Sequence, residues 1–271
     1  MLIDDLSDPR LAPFRDLKRP GETRWNRPLI AEGHRVTRRA FRLGWPIESV
    51  LLSDRKAETE VGREILSAAA VVGCEVWIVA HEVARQLVGF NFHAGVLAHL
   101  RRPRPARLNA WLEGIGSREP ILAFSRLSDP ENVGMALPHA AAFGVNRVLV
   151  GSGSADPLGR RALRLSMGAA LRLNLLRTSR FAEAIIGLRD RGCEIVAAVC
   201  EPETEAAADR SWERPVVFLM GNESDGLEPE LLDLCTAKVT IPLAAGVDSL
   251  NVATASALLL YEYQRGGDLR A

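Results

Sequence analysis

The chain has few of the features that would assign it to a common class at once. Its four cysteines, Cys74, Cys193, Cys200 and Cys235, form no C-x-x-C pair. That spacing excludes a zinc ribbon or a disulfide framework and suits reduced thiols in a cytoplasmic protein. No apolar run approaches the ~20 residues needed to cross a bilayer. The acidic start Met1-Leu2-Ile3-Asp4-Asp5 lacks the pattern of a secretory signal. A G-x-x-x-x-G-K-S/T loop is absent, and Gly151-Ser152-Gly153 lacks the third glycine of a dinucleotide-binding turn. No group of His, Cys and carboxylate residues has metal-ligand spacing, so no metal is expected. Net charge is also lacking, with 34 Lys and Arg against 34 Asp and Glu.

What is present is a globular composition, 47% apolar and 25% charged over 271 residues, enough for two domains of ordinary size. The charge is unevenly distributed. Residues 1–107 hold 18 Lys and Arg against 13 Asp and Glu, and residues 108–271 hold 16 against 21. The basic half is dominated by arginine, whose planar fork matches phosphate better than the point charge of lysine does. Arg35, Arg38, Arg39 and Arg42 recur at helical spacing and form one stripe. Such a stripe suits an RNA backbone, and a solvated helix face would look the same.

The pattern divides the chain into residues 1–105, an N-terminal domain with an irregular arm over 1–28; residues 106–118, a linker; and residues 119–271. In the first part a helix over Leu29–Leu43 precedes alternating strands and helices, including a helix over Thr59–Val72 that stops at Gly73. In the last part continuous apolar strands alternate with helices, among them Ile121–Phe124, Arg147–Val150, Glu194–Val199 and Pro215–Met220, with a helix over Leu158–Leu171. Such strands imply a parallel sheet covered on both faces, whose ligands sit at the carboxyl ends. The final stretch reads as a strand, Val239–Ile241, stopped by Pro242, then a loop containing Gly246. Asp248 or Ser249 then caps a helix to about Tyr263.

Three turns at strand ends carry polar residues: Asp129-Pro130-Glu131-Asn132-Val133-Gly134, Met220-Gly221-Asn222-Glu223-Ser224-Asp225-Gly226-Leu227, and Ile241-Pro242 with Ser249-Leu250-Asn251-Val252. In this order, with Arg164-Leu165-Ser166-Met167-Gly168 between the first two, they resemble the motifs of the SPOUT class of methyltransferases, specifically the SpoU-like RNA ribose 2′-O-methyltransferases. Residues 29–100, with Glu32-Gly33 and Phe92-His93-Ala94-Gly95, resemble that family's ribosomal-protein-like RNA-binding domain. The resemblance implies an α/β fold: a C-terminal trefoil-knot domain with a parallel sheet, preceded by a small α/β/α RNA-binding domain. It implies S-adenosylmethionine as cofactor, held at Met220, Gly221, Asn222, Ile241 and Leu250, and a catalytic set of Asn132, Arg164, Glu223, Ser249 and Asn251. It also implies structured rRNA or tRNA as substrate and a homodimer through the knotted domain.

One position departs from the family. An arginine four residues after the first motif's glycine is thought there to contact the target and promote loss of its hydroxyl proton. Here that position is Pro138. A proline has no proton-transfer group and inside a helix removes a hydrogen bond. Either another residue (His139, Arg126 or Arg164) replaces it, or the chain is an RNA-binding pseudoenzyme, or the proline is a peculiarity of this chain.

Overall fold

The computed structural model describes residues 2–17, 28–201, 203–222 and 224–266. Two compact units emerge: residues 1–103 with Leu158–Leu171, and residues 104–157 with 172–271.

The first unit holds β1 (Leu2–Ile3), β2 (Leu29–Glu32), α1 (His34–Arg42), β3 (Ile47–Ser53), α2 (Asp54–Ala57), α3 (Glu60–Val72), β4 (Glu75–Val79), α4 (His81–Val88) and β5 (Val96–Leu100). The sheet order is β1-β4-β3-β5-β2, with β5 antiparallel to both neighbours. One face packs Leu51, Val79, Leu87, Val88, Phe92 and Leu97 into a core with Leu11 and Phe14. The helix expected over Leu29–Leu43 is instead a strand and a helix. Gly33 has φ +92, a left-handed value at which an α-helix cannot continue. The four residues before it are all buried and pair with β5. α3 stops at the left-handed Gly73, as expected, and Thr59 caps it rather than beginning it.

The second unit begins with α5 (Leu108–Trp111), within the stretch read as a linker; Trp111 and Leu112 are buried in its core. There follow β6 (Pro120–Phe124), α6 (Pro130–Ala142), β7 (Arg147–Gly151), then α7 (Arg160–Leu165) and a 3-10 turn Ala169–Arg172. The remainder is β8 (Asn174–Thr178), α8 (Phe181–Arg189), β9 (Glu194–Ala198), β10 (Val216–Met220), α9 (Pro229–Leu232), β11 (Ala237–Val239) and α10 (Val252–Arg265). The six strands run in the order β11-β9-β10-β6-β7-β8 and every pair is parallel. All five residues of both β6 and β10 are buried, as a sheet covered on both faces requires. On β10, Val217 and Leu219 face the core that α8 fills with Ile185 and Leu188. Phe218 makes edge contacts with Trp212 and with Tyr263 of α10.

The expected Leu158–Leu171 helix is shorter, because Met167 and Gly168 both have positive φ (49° and 76°) and break it after α7. This segment packs with the first unit although it lies between strands of the second. Among the described residues no helix is long and apolar enough to cross a membrane.

At the amino end of β7, Arg147 Nη1 lies 2.5 Å from Glu119 Oε2, and the guanidinium also donates to the carbonyls of Trp111 (3.2 Å) and Glu113 (2.7 Å). Both side chains are largely buried. Removing one partner of such a pair leaves an uncompensated buried charge. Arg147→Met is therefore expected to destabilise the protein by about 3–5 kcal/mol, read as a lowered chemical-denaturation midpoint.

Candidate active site

The carboxyl ends of β6, β10 and β11 each lead into one of the polar turns. At the end of β6, the Ser125 N–H donates to the Met220 carbonyl (2.9 Å) and its hydroxyl donates to Glu228 (2.8 Å). Arg126 has φ +51. Its guanidinium faces Asp225 (3.7 Å) and Glu228 (3.6 Å), with the side chain about half exposed. Asp129 then caps α6, accepting from the Glu131 N–H (2.8 Å), with Pro130 in the first turn.

The turn after β10 closes on itself. Asn222 and Gly226 exchange two backbone hydrogen bonds of 2.9 Å each, and the Asn222 side chain accepts from Ser224 N–H (2.9 Å) while donating to the Arg126 carbonyl (3.0 Å). A Cβ at Gly221 would lie 2.4 Å from the Gly226 carbonyl. Glycine is required there because two backbone segments touch.

The last helix begins later than the sequence suggested. Its cap is Asn251, neither Asp248 nor Ser249: Oδ1 accepts from the N–H groups of Ala253 (2.9 Å) and Thr254 (3.4 Å). The earlier residues stay in the loop that follows β11. The other end of the same amide donates to Asn132 Oδ1 at 2.7 Å. Two of the expected catalytic residues, 119 positions apart in the chain, are thus bonded directly.

Between the turn after β10, the end of β9 and the loop from β11 to α10 lies an open cavity of about 670 Å³, a size common for small-molecule sites. It is lined by all five of the expected cofactor residues, Met220, Gly221, Asn222, Ile241 and Leu250, and by Ser249 and Asn251. The sequence reading missed its carboxylates: Glu201 beyond β9, Asp225, and Asp248. Among the described lining residues there is no Lys or Arg. The end of β9 carries no glycine turn to mark it; its position as a central parallel strand was the available signal.

Glu223 lies outside the described residues. Arg164 belongs to the first unit, where its guanidinium lies 3.5 Å from Glu32. Of the arginine stripe, Arg38 makes a partly exposed ion pair with Glu64 of α3 at 2.8 Å. Pro138 sits inside α6. Next to it, His139 Nδ1 is 3.2 Å from the Ala253 carbonyl; a carbonyl only accepts, so Nδ1 carries the proton. His139 thus ties α6 to α10. No three His, Cys, Asp or Glu side chains among the described residues are grouped to hold a metal ion.

Fold and site together define a SPOUT-class α/β domain. The chain belongs to the SpoU rRNA Methylase family, whose model matches residues 119–261. An uncharacterized tRNA/rRNA methyltransferase of Mycobacterium bovis is 34% identical over 98% of this chain and 92% of its own length. A 23S rRNA (guanosine-2′-O-)-methyltransferase of Ralstonia nicotianae is 26% identical over 88% of this chain and 95% of its own. The AdoMet-bound rRNA methyltransferase from Sinorhizobium meliloti superposes with a TM-score of 0.82 at 25% identity, covering 98% of this chain and 97% of that one.

Gly221→Ala is expected to disrupt the 221–227 turn and abolish binding of S-adenosylmethionine measured by calorimetry. Asn251→Ala removes the cap of α10 and is expected to cost about 1 kcal/mol of stability or more, read by thermal unfolding.

Proposed function

We propose that the protein transfers the methyl group of S-adenosylmethionine to a ribose 2′-hydroxyl of structured ribosomal or transfer RNA. The observation that carries this reading is the cavity at the strand ends, where five expected cofactor residues meet three carboxylates. Ile241 and Leu250 give apolar walls for an adenine ring, and the loop backbones give polar groups for its edge. Glu201, Asp225 and Asp248 suit a cofactor that carries a sulfonium and an ammonium, with Glu201 also facing Lys238 (3.6 Å) and Asp225 facing Arg126 (3.7 Å).

When bound, the cofactor supplies an electrophilic methyl group for in-line displacement. The chain's own residues must hold the ribose in line and favour its alkoxide as charge develops. We assign Asn132 and Asn251 to orienting the ribose or an adjacent phosphate, since their mutual hydrogen bond fixes both amides before RNA arrives. Ser249 contributes a hydroxyl to the same cavity, and Glu223 is assigned to ordering the loop it belongs to. In place of an arginine at position 138 we assign Arg126. Its side chain is half exposed, and its backbone carbonyl accepts a hydrogen bond from Asn222, a residue of the cavity wall. Arg164 we place among the RNA contacts of the first unit.

We further infer a cytoplasmic homodimer formed through the second unit. The four cysteines are free thiols. Tyr261 and Leu258 on α10 are 45% and 39% exposed, and Met135 on α6, a helix packed against α10, is 37% exposed. Together these make an apolar face suited to a second copy.

Transfer of labelled methyl to deproteinised rRNA and tRNA tests the activity. The natural chain is expected to label RNA, and Arg126→Ala to lower kcat by about 10²–10³-fold with cofactor affinity unchanged. Labelling by Pro138→Arg alone would make the natural chain a binding protein. Leu258→Asp with Tyr261→Asp is expected to halve the mass found by sedimentation equilibrium.

A further inference from the structure

Glu32, the last residue of β2, is a buried carboxylate, 6% exposed, and two arginines of α7 reach it. They are held very differently. Arg160 makes an ion pair with Oε2, lies over the Phe90 ring at 4.3 Å from its centroid, and donates to the Leu17 carbonyl at 3.3 Å. Its charge is spent inside the unit. Arg164 has a looser contact, 3.5 Å from Oε1, and its side chain is 53% exposed. Glu32 orients it without enclosing it.

The turn that follows brings further arginines to the same place. Met167 and Gly168 are both left-handed. A Cβ on Gly168 would touch Val36 and the Arg39 side chain at 3.3 Å each. Arg35 Nη1 lies 3.8 Å from Met167 Sδ. Arg164, Arg35 and Arg39 thus border one turn, all within the first unit. Glycine at position 168 permits this approach, since it adopts the left-handed backbone freely and has no Cβ to press on Val36 and Arg39.

We propose that these three arginines form a phosphate-binding site for the RNA backbone and that Glu32 is its positioning residue. This rests on the RNA reading above. A free arginine side chain loses much rotamer freedom when it grips a phosphate, and a buried carboxylate that fixes the fork beforehand removes part of that loss. The sign of the effect separates positioning from simple charge. Glu32 subtracts one charge from the patch, so by electrostatics alone its neutralisation strengthens RNA binding. Positioning demands the opposite.

The test compares the full natural chain with Glu32→Gln in filter binding to deproteinised total ribosomal RNA at roughly 50 to 200 mM salt, and in methyl transfer at saturating S-adenosylmethionine. Glu32→Gln is expected to bind RNA about 10-fold more weakly, with a log–log salt slope shallower by about one. The apparent KM for RNA rises by the same factor, kcat stays within about twofold, and cofactor affinity is unchanged. Arg164→Lys keeps the charge and loses the fork. It is expected to weaken binding in the same direction, and it serves if Glu32→Gln does not fold. RNA binding by either folded variant that equals or exceeds that of the natural chain would overturn the proposal. A natural chain that binds RNA but transfers no methyl would sink the proposed activity and leave this site standing; one that binds no RNA would sink both.

Discussion

A single amide, that of Asn251, joins α6 to the start of α10 in the second unit. Its oxygen ends the chain of orphan N–H groups at the start of α10, and its nitrogen holds Asn132 on α6. The same two helices are tied a second time where His139 meets the Ala253 carbonyl. The cavity wall from Ser249 to Val252 therefore inherits its position from α6, which is itself fixed by the Asp129 cap at the end of β6. This explains why polar residues so distant in the chain belong to one site. Each satisfies a hydrogen bond that another element leaves open, in a place where water would otherwise be needed.

Much of this was legible in the residues. The second unit's strands are long enough and apolar enough on both faces to imply a covered parallel sheet, and Met220 to Leu227 falls at a carboxyl end by that rule alone. The ordered motifs then named five residues of one cavity wall. The boundaries were less legible. A helical period ran from Leu29 to Leu43 because the apolar Leu29, Ile30 and Ala31 of the buried strand fit either period, and only Gly33 marked the break. The cap of α10 was not singled out because Asp248, Ser249 and Asn251 are all good caps by type; Asn251 alone is also bonded to Asn132, which is remote in the chain.

Other features lay beyond local patterns altogether. β8 follows the 3-10 turn Ala169–Arg172 with no polar turn to set it off, and only Leu176 is buried among its five residues. The acids of the cavity come from loops whose lining role depends on which strands are neighbours. The affiliation of Leu158–Leu171 with the first unit depends on a buried carboxylate on β2 that no spacing within that segment could disclose.

That affiliation has a consequence for how the chain can be divided. The polypeptide leaves the second unit at Pro157, spends Leu158–Leu171 in the first, and returns at Arg172. A fragment ending near residue 103 would keep Glu32 but not the guanidiniums that neutralise it, leaving a carboxylate in an apolar setting that resists its charge. The reciprocal fragment would carry Ala162, Leu163 and Ala170, all buried in the whole protein, without the unit to which they belong. Exchange of the first unit between such chains, whether in the laboratory or over evolution, would thus have to move two separate stretches of sequence together.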